Sequence, residues 1–215
     1  MTKTIDIGFL IYPGVTQLDA TGPAQILSRV PGTRIHLAWK DTNPVDTDAG
    51  FSINPTTSLD ACPDLDVICV PGGMGQLPLM EDQDVLAFLR RQGERATYVT
   101  SVCSGALLLG AAGLLKGYKS GCHWAFRAML PTFGAIPVAE RIVKDRNRIS
   151  GGGVTAGIDF GLALAAELAG EDTAKEIQLF VEYDPMPPFD SGTPEKAGPE
   201  LEAKVRAAFA DANIG

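Results

Sequence analysis

The chain has 215 residues, of which 45% are hydrophobic and 20% are charged, and its formal net charge is −8. This composition is typical of a globular domain, and an acidic balance without a basic cluster argues against nucleic acid or an anionic membrane as the main partner. The sequence shows no signal peptide and no apolar run of membrane-spanning length, so we expect a cytoplasmic protein that does not contact a membrane.

The four cysteines form no CxxC pair, and the two histidines lie far apart in the sequence. No spacing therefore supports a zinc site, and the thiols of a cytoplasmic protein are expected to be reduced. We expect neither a metal nor a cofactor.

In chain order, the first half alternates short apolar runs with helical stretches. The predicted elements are strand 5–12, a helix near 24–28, strand 34–40, a short strand at 51–53, strand 64–70 and helix 84–92. Thr21 fits the N-cap of the first helix, with Pro23 early in its first turn, which leaves Asp19 in the preceding loop. Asp19 is either a solvated or capping carboxylate, or an acid–base group at the edge where open α/β sheets bind ligands.

A glycine-rich loop, residues 71–75, directly follows the strand that ends at residue 70. It matches neither GxxxxGK[ST] nor GxGxxG, which makes nucleotide binding a weak interpretation. A better one is an oxyanion hole, in which the backbone N–H groups of Gly72 and Gly73 point at a neighbouring reaction centre.

The stretch 98–109 predicts a strand followed at once by a helix, which continues to residue 115. Only Cys103, Ser104 and Gly105 lie between them, so the chain turns sharply and forms a nucleophile elbow. A thiol at the N-terminus of a helix has a lowered pKa, which favours a reactive Cys103. The alternative is that Cys103 is a small buried hydrophobic residue, as free cysteines usually are.

The second half contains His123, which is either a partner of the nucleophile or a structural residue near the site; the second role is favoured. The remaining predicted elements are helix 124–130, a hairpin of 141–144 with 148–150, a glycine turn at 151–157, helices 158–169 and 173–181, a proline-rich arm at 184–200 and a short C-terminal helix within 201–215. This alternation predicts a single α/β domain over 1–215, with an open, mostly parallel, flavodoxin-like sheet and helices on both faces. Asp19, the glycine loop and Cys103 then lie at one rim of the sheet.

Five stretches together resemble the ThiJ/PfpI superfamily, which is related to the class I glutamine amidotransferase fold. The resemblance runs from residue 5 to about residue 183, and its carriers are 18–23, 70–73, 100–105, 123–124 and 151–159. Within the superfamily, the isocyanide hydratase family is the most similar, because its elbow has Cys followed by a hydroxyl residue and its acid is Asp.

This resemblance implies hydration of isocyanides, R–N≡C, to N-formamides. Cys103 would attack the terminal carbon to form a thioimidate, and Asp19 would protonate the nitrogen and then act as a base towards water. We expect a resting Cys103 thiolate beside a protonated Asp19, because two adjacent negative charges repel. Ser104 would hydrogen-bond the sulfur or the substrate, while Val154 and His123 would lie at or behind the pocket. The resemblance also implies a homodimer.

Some positions separate this chain from neighbouring branches. The protease and glyoxalase-type branches often place His after the nucleophile and use Glu as the acid, where this chain has Ser104 and Asp19. Regulators with this domain carry a helix-turn-helix region, and we expect none here, because the residues from Tyr183 to Gly215 leave no room for one. Against the hydratase pattern, Ser104 replaces Thr, Val154 replaces Ile, and Cys122 stands where Thr is expected.

Two alternatives use the same thiol. One is a cysteine hydrolase or a glyoxalase- or deglycase-like enzyme that acts on small carbonyl compounds. The other is a redox-sensing protein in which Cys103 is oxidised to the sulfenate or sulfinate. Turnover of an isocyanide by the reduced protein distinguishes the hydratase from both.

Overall fold

The structure is a computed structural model that describes residues 4–211. Its internal contacts divide the chain into two compact units, with the boundary between Val181 and Glu182. The strands and every residue of the predicted site fall in the first unit, whereas the predicted arm and the last helix fall in the second.

The elements of the first unit are β1 (Ile5–Leu10), α1 (Gln17–Leu27), β2 (Thr33–Trp39), β3 (Val45–Asp46), β4 (Ser52–Ile53), β5 (Thr57–Ser58), β6 (Val67–Val70), α2 (Gln83–Arg95), β7 (Tyr98–Val102), α3 (Gly105–Ala111), β8 (Lys119–Ser120), β9 (Ile136–Pro137), β10 (Ile142–Asp145), β11 (Arg148–Gly151), α4 (Ala156–Ala169) and α5 (Glu171–Phe180). Short 3-10 helices lie at Met74–Gln76, Pro78–Met80 and Arg127–Phe133.

Within the described residues, seven strands form the main sheet in the order β10-β11-β7-β6-β1-β2-β5. Neighbouring strands run parallel, except that β10 and β11 form the predicted antiparallel hairpin. The predicted open, mostly parallel α/β sheet is therefore confirmed. Because β1, β6 and β7 are adjacent and parallel, the loops at their carboxyl ends meet at one edge of the sheet.

The central strands are almost wholly buried, and every residue of β6 is buried. The helices pack in two groups: α1 packs against α4 and α4 against α5, while α2 packs against α3. A continuous apolar core fills the space between these helices and the sheet, which matches the apolar runs from which the strands were predicted.

Helix α1 begins earlier than predicted. It starts at Gln17, so Asp19 lies in its first turn rather than in the preceding loop, and Pro23 lies inside the helix. The N-cap position belongs to Thr16 and not to Thr21. The prediction failed because proline is favoured in the first turn of a helix, whereas here contacts outside α1 hold the helix together across it.

Other boundaries differ less. The helix predicted over 124–130 is a 3-10 segment displaced to Arg127–Phe133, which contains Pro131. The helix after the elbow ends at Ala111 instead of residue 115. The last two helices of the first unit each begin two residues earlier than predicted.

The second unit, residues 182–211, contains α6 (Pro194–Ala197), which lies within the predicted proline-rich arm, and α7 (Pro199–Asp211), which begins at its end. The predicted last helix thus begins two residues early, and the end of its predicted range lies outside the described residues. Met186 and Phe189 are 91% and 79% exposed. Across residues 4–211, no helix combines the length and the apolar character needed to cross a bilayer.

Candidate active site

The elbow has the geometry that the sequence predicts. Cys103 follows β7 directly and adopts a left-handed backbone with φ of 58°, a conformation that non-glycine residues seldom take. Its N–H donates to the Gly151 carbonyl at 3.0 Å, and its carbonyl accepts from the His123 N–H at 3.2 Å. These two hydrogen bonds hold Cys103 between neighbouring segments of chain, so its unusual backbone is fixed from both sides.

Gly105 allows the elbow to lie close to the next strand. A Cβ atom built on Gly105 would lie 2.0 Å from the Val70 carbonyl oxygen and 2.7 Å from the Pro71 carbonyl oxygen. No side chain fits there, because both neighbours are backbone atoms that cannot rotate away. The absence of a side chain lets α3 start directly against the carboxyl end of β6.

Asp19 is completely buried in the first turn of α1. The Gly72 N–H donates to Asp19 Oδ2 at 2.8 Å. Among the described residues, Asp19 Oδ1 has no partner with full hydrogen-bond geometry. One oxygen of this carboxyl is therefore anchored, and the other is available to hold a proton or to accept one from water.

The two glycine N–H groups predicted as oxyanion donors are engaged by the protein itself. Gly72 N–H binds Asp19, and Gly73 N–H donates to Ser104 Oγ at 3.2 Å. The loop therefore positions the Asp19 carboxyl and the Ser104 hydroxyl. Its two N–H groups are not the free oxyanion donors that the sequence predicts. A Cβ on Gly72 would lie 2.6 Å from Ser104 Oγ and 2.9 Å from Asp19 Oδ2, so a glycine is required for all three groups to meet.

Ser104 joins the thiol to the glycine loop. Its hydroxyl oxygen accepts from Gly73, and no acceptor for its hydroxyl proton is found among residues 4–211. The backbone N–H of Ser104 interacts with the Cys103 sulfur and lowers the pKa of that thiol. Ser104 thus has one donor directed at the sulfur and a second that a bound molecule can use.

Electrostatics couple the acid to the thiol. Burial raises the pKa of Asp19 from 3.8 to about 7, although contacts with the Gly72 N–H and the Cys103 thiol favour its charged form. Burial also raises the pKa of Cys103 well above its usual value, and the Asp19 charge adds to that rise. A protonated Asp19 near neutral pH agrees with expectation, whereas the expected resting thiolate does not agree with the burial of the sulfur.

The other cysteines have no comparable setting. Burial raises the pKa of Cys69 and Cys122 to about 12 and that of Cys62 to about 11. Cys122 lies near enough to Cys103 for its charge to raise the Cys103 pKa as a lesser cause. All four thiols are free.

Tyr12 is a site residue that the sequence interpretation missed. It is fully buried, and its hydroxyl donates to the Pro71 carbonyl at 2.8 Å. Burial is the largest cause that raises the pKa of Tyr12, and the charges of Asp19 and Cys103 raise it further. The hydrogen bond fixes Pro71, the residue before the Gly72 N–H that holds Asp19. A tyrosine at the end of an apolar strand needs a partner for its hydroxyl, and that was the available signal.

His123 contacts the elbow through its backbone, and Val154 lies in the turn before α4. The backbone of His123 binds the Cys103 carbonyl, and its ring Nδ1 accepts from the Ala125 N–H at 3.3 Å. Burial lowers the pKa of His123, which keeps the ring neutral at neutral pH. Val154 is partly buried against the core in the turn before α4. These contacts give His123 a supporting position at the elbow, whereas the expected place of Val154 at or behind the pocket stays a prediction.

The site therefore combines a buried thiol, a buried carboxyl with a pKa near 7 and a hydroxyl donor. Within residues 4–211, no cluster of three or more His, Cys, Asp or Glu side chains is arranged to hold a metal ion. The arrangement suits addition of the sulfur to a small electrophile, with proton transfer by the neighbouring carboxyl.

Comparison with known proteins points to relatives with this fold. The chain is 55% identical over 206 residues to an isonitrile hydratase from Pseudomonas putida, a match that covers 95% of this chain and 90% of that one. It is 28% identical to the HTH-type transcriptional regulator GbdR of Pseudomonas aeruginosa, over 83% of this chain and 50% of the regulator.

Solved structures give the same result. A ThiJ/PfpI family protein from Pseudomonas syringae superposes with a TM-score of 0.91 at 48% identity, and the match covers 97% of this chain and 86% of that protein. The family model described as the DJ-1/PfpI family matches residues 6–167. The match includes Asp19, the glycine loop and the elbow, and the chain belongs to the DJ-1/PfpI family.

Proposed function

We propose that this protein hydrates isocyanides to N-formamides through a covalent intermediate on Cys103, as a lyase. The observation that carries the proposal is the buried pair of thiol and carboxyl, in which the pKa of Asp19 is about 7. The 55% identity to an isonitrile hydratase supports the choice of substrate, since isonitrile is another word for isocyanide.

The protonation state of the Asp19–Cys103 pair suits this addition. Two acidic groups in contact lose their protons in two steps. The first proton of the Asp19–Cys103 pair is lost near pH 7, because the pKa of Asp19 is about 7. After that loss the pair carries one proton and one negative charge. When the sulfur attacks the substrate, Asp19 can accept the thiol proton, so no free thiolate needs to accumulate beforehand.

In the first step, a bond forms between the Cys103 sulfur and the terminal carbon of the isocyanide. The shared proton goes to the same carbon, which gives a thioimidate, Cys–S–CH=N–R, and leaves Asp19 as a carboxylate. The first proton goes to carbon because that atom carries the lone pair of the isocyanide and the C–H of the formamide product, whereas the sequence interpretation placed this proton on nitrogen. The substrate adds as a whole and no leaving group departs.

In the second step, water adds across the C=N bond. The Asp19 carboxylate takes a proton from water as the oxygen attacks carbon, and then returns a proton to nitrogen. The new hydroxyl next loses its proton to Asp19 while the C–S bond breaks. The N-formamide leaves, and the pair again carries one shared proton. Ser104 supports both steps by donating its hydroxyl proton in a hydrogen bond to the substrate nitrogen.

The direct test is a product assay with purified, reduced protein and p-nitrophenyl isocyanide. The expected result is one N-formamide for each isocyanide consumed, with much slower turnover of methylglyoxal and of a peptide substrate. Preferred turnover of methylglyoxal or peptide would replace this proposal with the carbonyl or hydrolase alternative. Absence of turnover, with Cys103 oxidised by mild peroxide, would favour the redox sensor.

The covalent step has its own test. Cys103→Ala is expected to reduce formamide production to the uncatalysed rate, while Cys62→Ala keeps it, because Cys62 does not contribute to the pKa of Asp19 or Cys103. Mass spectrometry of protein quenched during turnover should show an adduct equal to the whole isocyanide mass. Turnover by Cys103→Ala would rule out the thioimidate.

We also propose that the protein is a homodimer. Leu179 and Phe180, at the end of α5, are 81% and 71% exposed. These two large side chains are adjacent in the sequence, and contact with a second chain would cover the apolar surface that they expose. Light scattering on the purified protein should give twice the mass of the chain.

A further inference from the structure

We propose that Asp48 is a positioning residue for Asp19: its carboxylate anchors the first turn of α1 and keeps a negative charge beside the acid. This role rests on the proposed function for its catalytic meaning, since it acts on the carboxyl that moves protons there. The contacts themselves belong to the fold and do not depend on the substrate.

Asp48 replaces the missing cap of α1. Thr16 occupies the N-cap position, yet its side chain accepts no N–H from the helix. Instead, Thr16 Oγ donates to Asp48 Oδ2 at 2.6 Å, and the Gln17 N–H donates to Asp48 Oδ1 at 3.4 Å. A carboxylate from 31 residues further along the chain thus satisfies the start of the helix, where negative charge is favoured.

The β3–β4 hairpin delivers this carboxylate to a fixed place. The Asp48 N–H donates to the Val15 carbonyl at 3.1 Å, and the Gly14 N–H donates to the Asp46 carbonyl at 2.8 Å. Val15 and Thr47 form a parallel bridge between the two segments. Since the loop from Gly14 to Thr16 leads straight into α1, the hairpin fixes the position at which the Asp19 turn begins.

Asp48 is also the source of negative charge near Asp19. The titratable groups that interact with Asp19 are Tyr12 after β1, Cys69 on β6, Cys103 at the elbow and Asp48 on the hairpin. Burial raises the pKa of the tyrosine and of both cysteines, so these three are neutral at neutral pH. Burial is the main cause that raises the pKa of Asp19, and the Asp48 charge adds a smaller rise that also favours the protonated form.

The test measures the reactivity of Cys103 as a function of pH, and it needs no isocyanide. The rate at which iodoacetamide alkylates Cys103 should rise with pH, with a midpoint near the Asp19 pKa of about 7. Asp48→Asn removes the charge and keeps one oxygen for Thr16, and it should move this midpoint to lower pH. Asp48→Glu should restore the wild-type midpoint, and high salt should reduce the difference, because Asp48 lies at the surface.

Asp46→Asn is the matched control. It removes one negative charge from the same hairpin, two residues away, at a side chain that accepts a hydrogen bond from Ser52 rather than from Thr16. The proposal is overturned if Asp48→Asn and Asp46→Asn give the same midpoint, or if Asp48→Glu fails to restore it in a variant that unfolds at the wild-type temperature. A shifted midpoint in a protein that does not hydrate isocyanides would leave Asp48 in this role and remove the proposed function.

Discussion

The two halves of the site are held in place by different means. The thiol half is continuous in sequence, since β7, Cys103 and α3 follow one another over Tyr98–Ala111. The acid half is assembled from distant segments: Asp19 binds the Gly72 N–H, 53 residues along the chain, and its helix is anchored by Asp48. The residues of the thiol half are thus contiguous, although Gly151 and His123 fix the Cys103 backbone from other segments, whereas the acid half is itself assembled from distant segments.

This difference determines how each half responds to change. The elbow depends on backbone fit, so it should be sensitive to added side-chain volume. The acid depends on burial and on neighbouring charge, so it should be sensitive to pH and to substitutions that keep its shape. The predictions below separate the two responses, from the largest expected effect to the smallest.

Removal of the acid with its shape preserved gives the largest effect. Asp19→Asn keeps an oxygen for the Gly72 N–H but cannot accept or return a proton, so kcat should fall by roughly 10² to 10⁴-fold. Iodoacetamide should still alkylate Cys103, without the midpoint near neutral pH. Steady-state kinetics and alkylation rates check both statements. Normal turnover in Asp19→Asn would show that the carboxyl transfers no proton.

The same substitution should change stability with pH in a defined direction. Burial raises the pKa of Asp19 from 3.8 to about 7 in the folded protein, so the folded state binds this proton more tightly than the unfolded state, and the stability that is fully present below about pH 4 is lost as the pH rises to about 7. Asp19→Asn should therefore match wild type near pH 4 and exceed its free energy of unfolding at pH 8. The gain is of the order of 4 kcal/mol, since one pKa unit corresponds to about 1.4 kcal/mol.

Denaturant unfolding of both proteins at a series of pH values measures this difference. Cys103 adds little below about pH 8, because its thiol is protonated in the folded and unfolded states alike. A gain that does not depend on pH would mean that Asn simply packs better than Asp. In that case the gain in stability would not come from the raised pKa of Asp19.

The elbow should respond to volume. Gly105→Ala places a methyl group 2.0 Å from a backbone carbonyl oxygen, so the folded state must shift at a cost of about 1–3 kcal/mol or more. Gly192→Ala is the control, because a Cβ there has nothing within 4 Å. Thermal unfolding should show a clear loss for the first and little change for the second. Equal stability would mean that the approach of α3 to β6 is not tight.

The smallest effect concerns the hydroxyl that joins the two halves. Ser104→Ala leaves the Gly73 N–H without its acceptor and removes a donor to substrate, which is worth about 1 kcal/mol, or roughly a fivefold to tenfold loss in kcat/KM. Ser104→Thr keeps the hydroxyl and should restore most of the rate. Complete loss of activity in Ser104→Ala would show that the hydroxyl transfers a proton itself.

The sequence carried more information about the thiol half than about the acid half. Cys103 was identified because a strand, a turn and a helix stand together in twelve residues. The start of α1 was misplaced because its cap comes from Asp48, which no local pattern connects to Thr16. The proline at position 23 then suggested a later start that tertiary packing overrides.

The glycine loop illustrates a second limit. Its position at the end of β6 was predicted correctly from the run of apolar residues before it. The partners of its N–H groups were not, because they lie on α1 and at the elbow and depend on how three loops meet. A pattern within one loop shows that its backbone can approach other groups closely, but it does not show which groups those are.

The left-handed backbone of Cys103 has a consequence for protein engineering. A side chain in that conformation raises the free energy of the folded state by on the order of 1 kcal/mol, a cost that glycine avoids. Cys103→Gly would relax the turn and also delete the only sulfur that faces the acid from the elbow. Selection for thermostability alone would therefore favour the replacement of Cys103, although the proposed activity requires this residue.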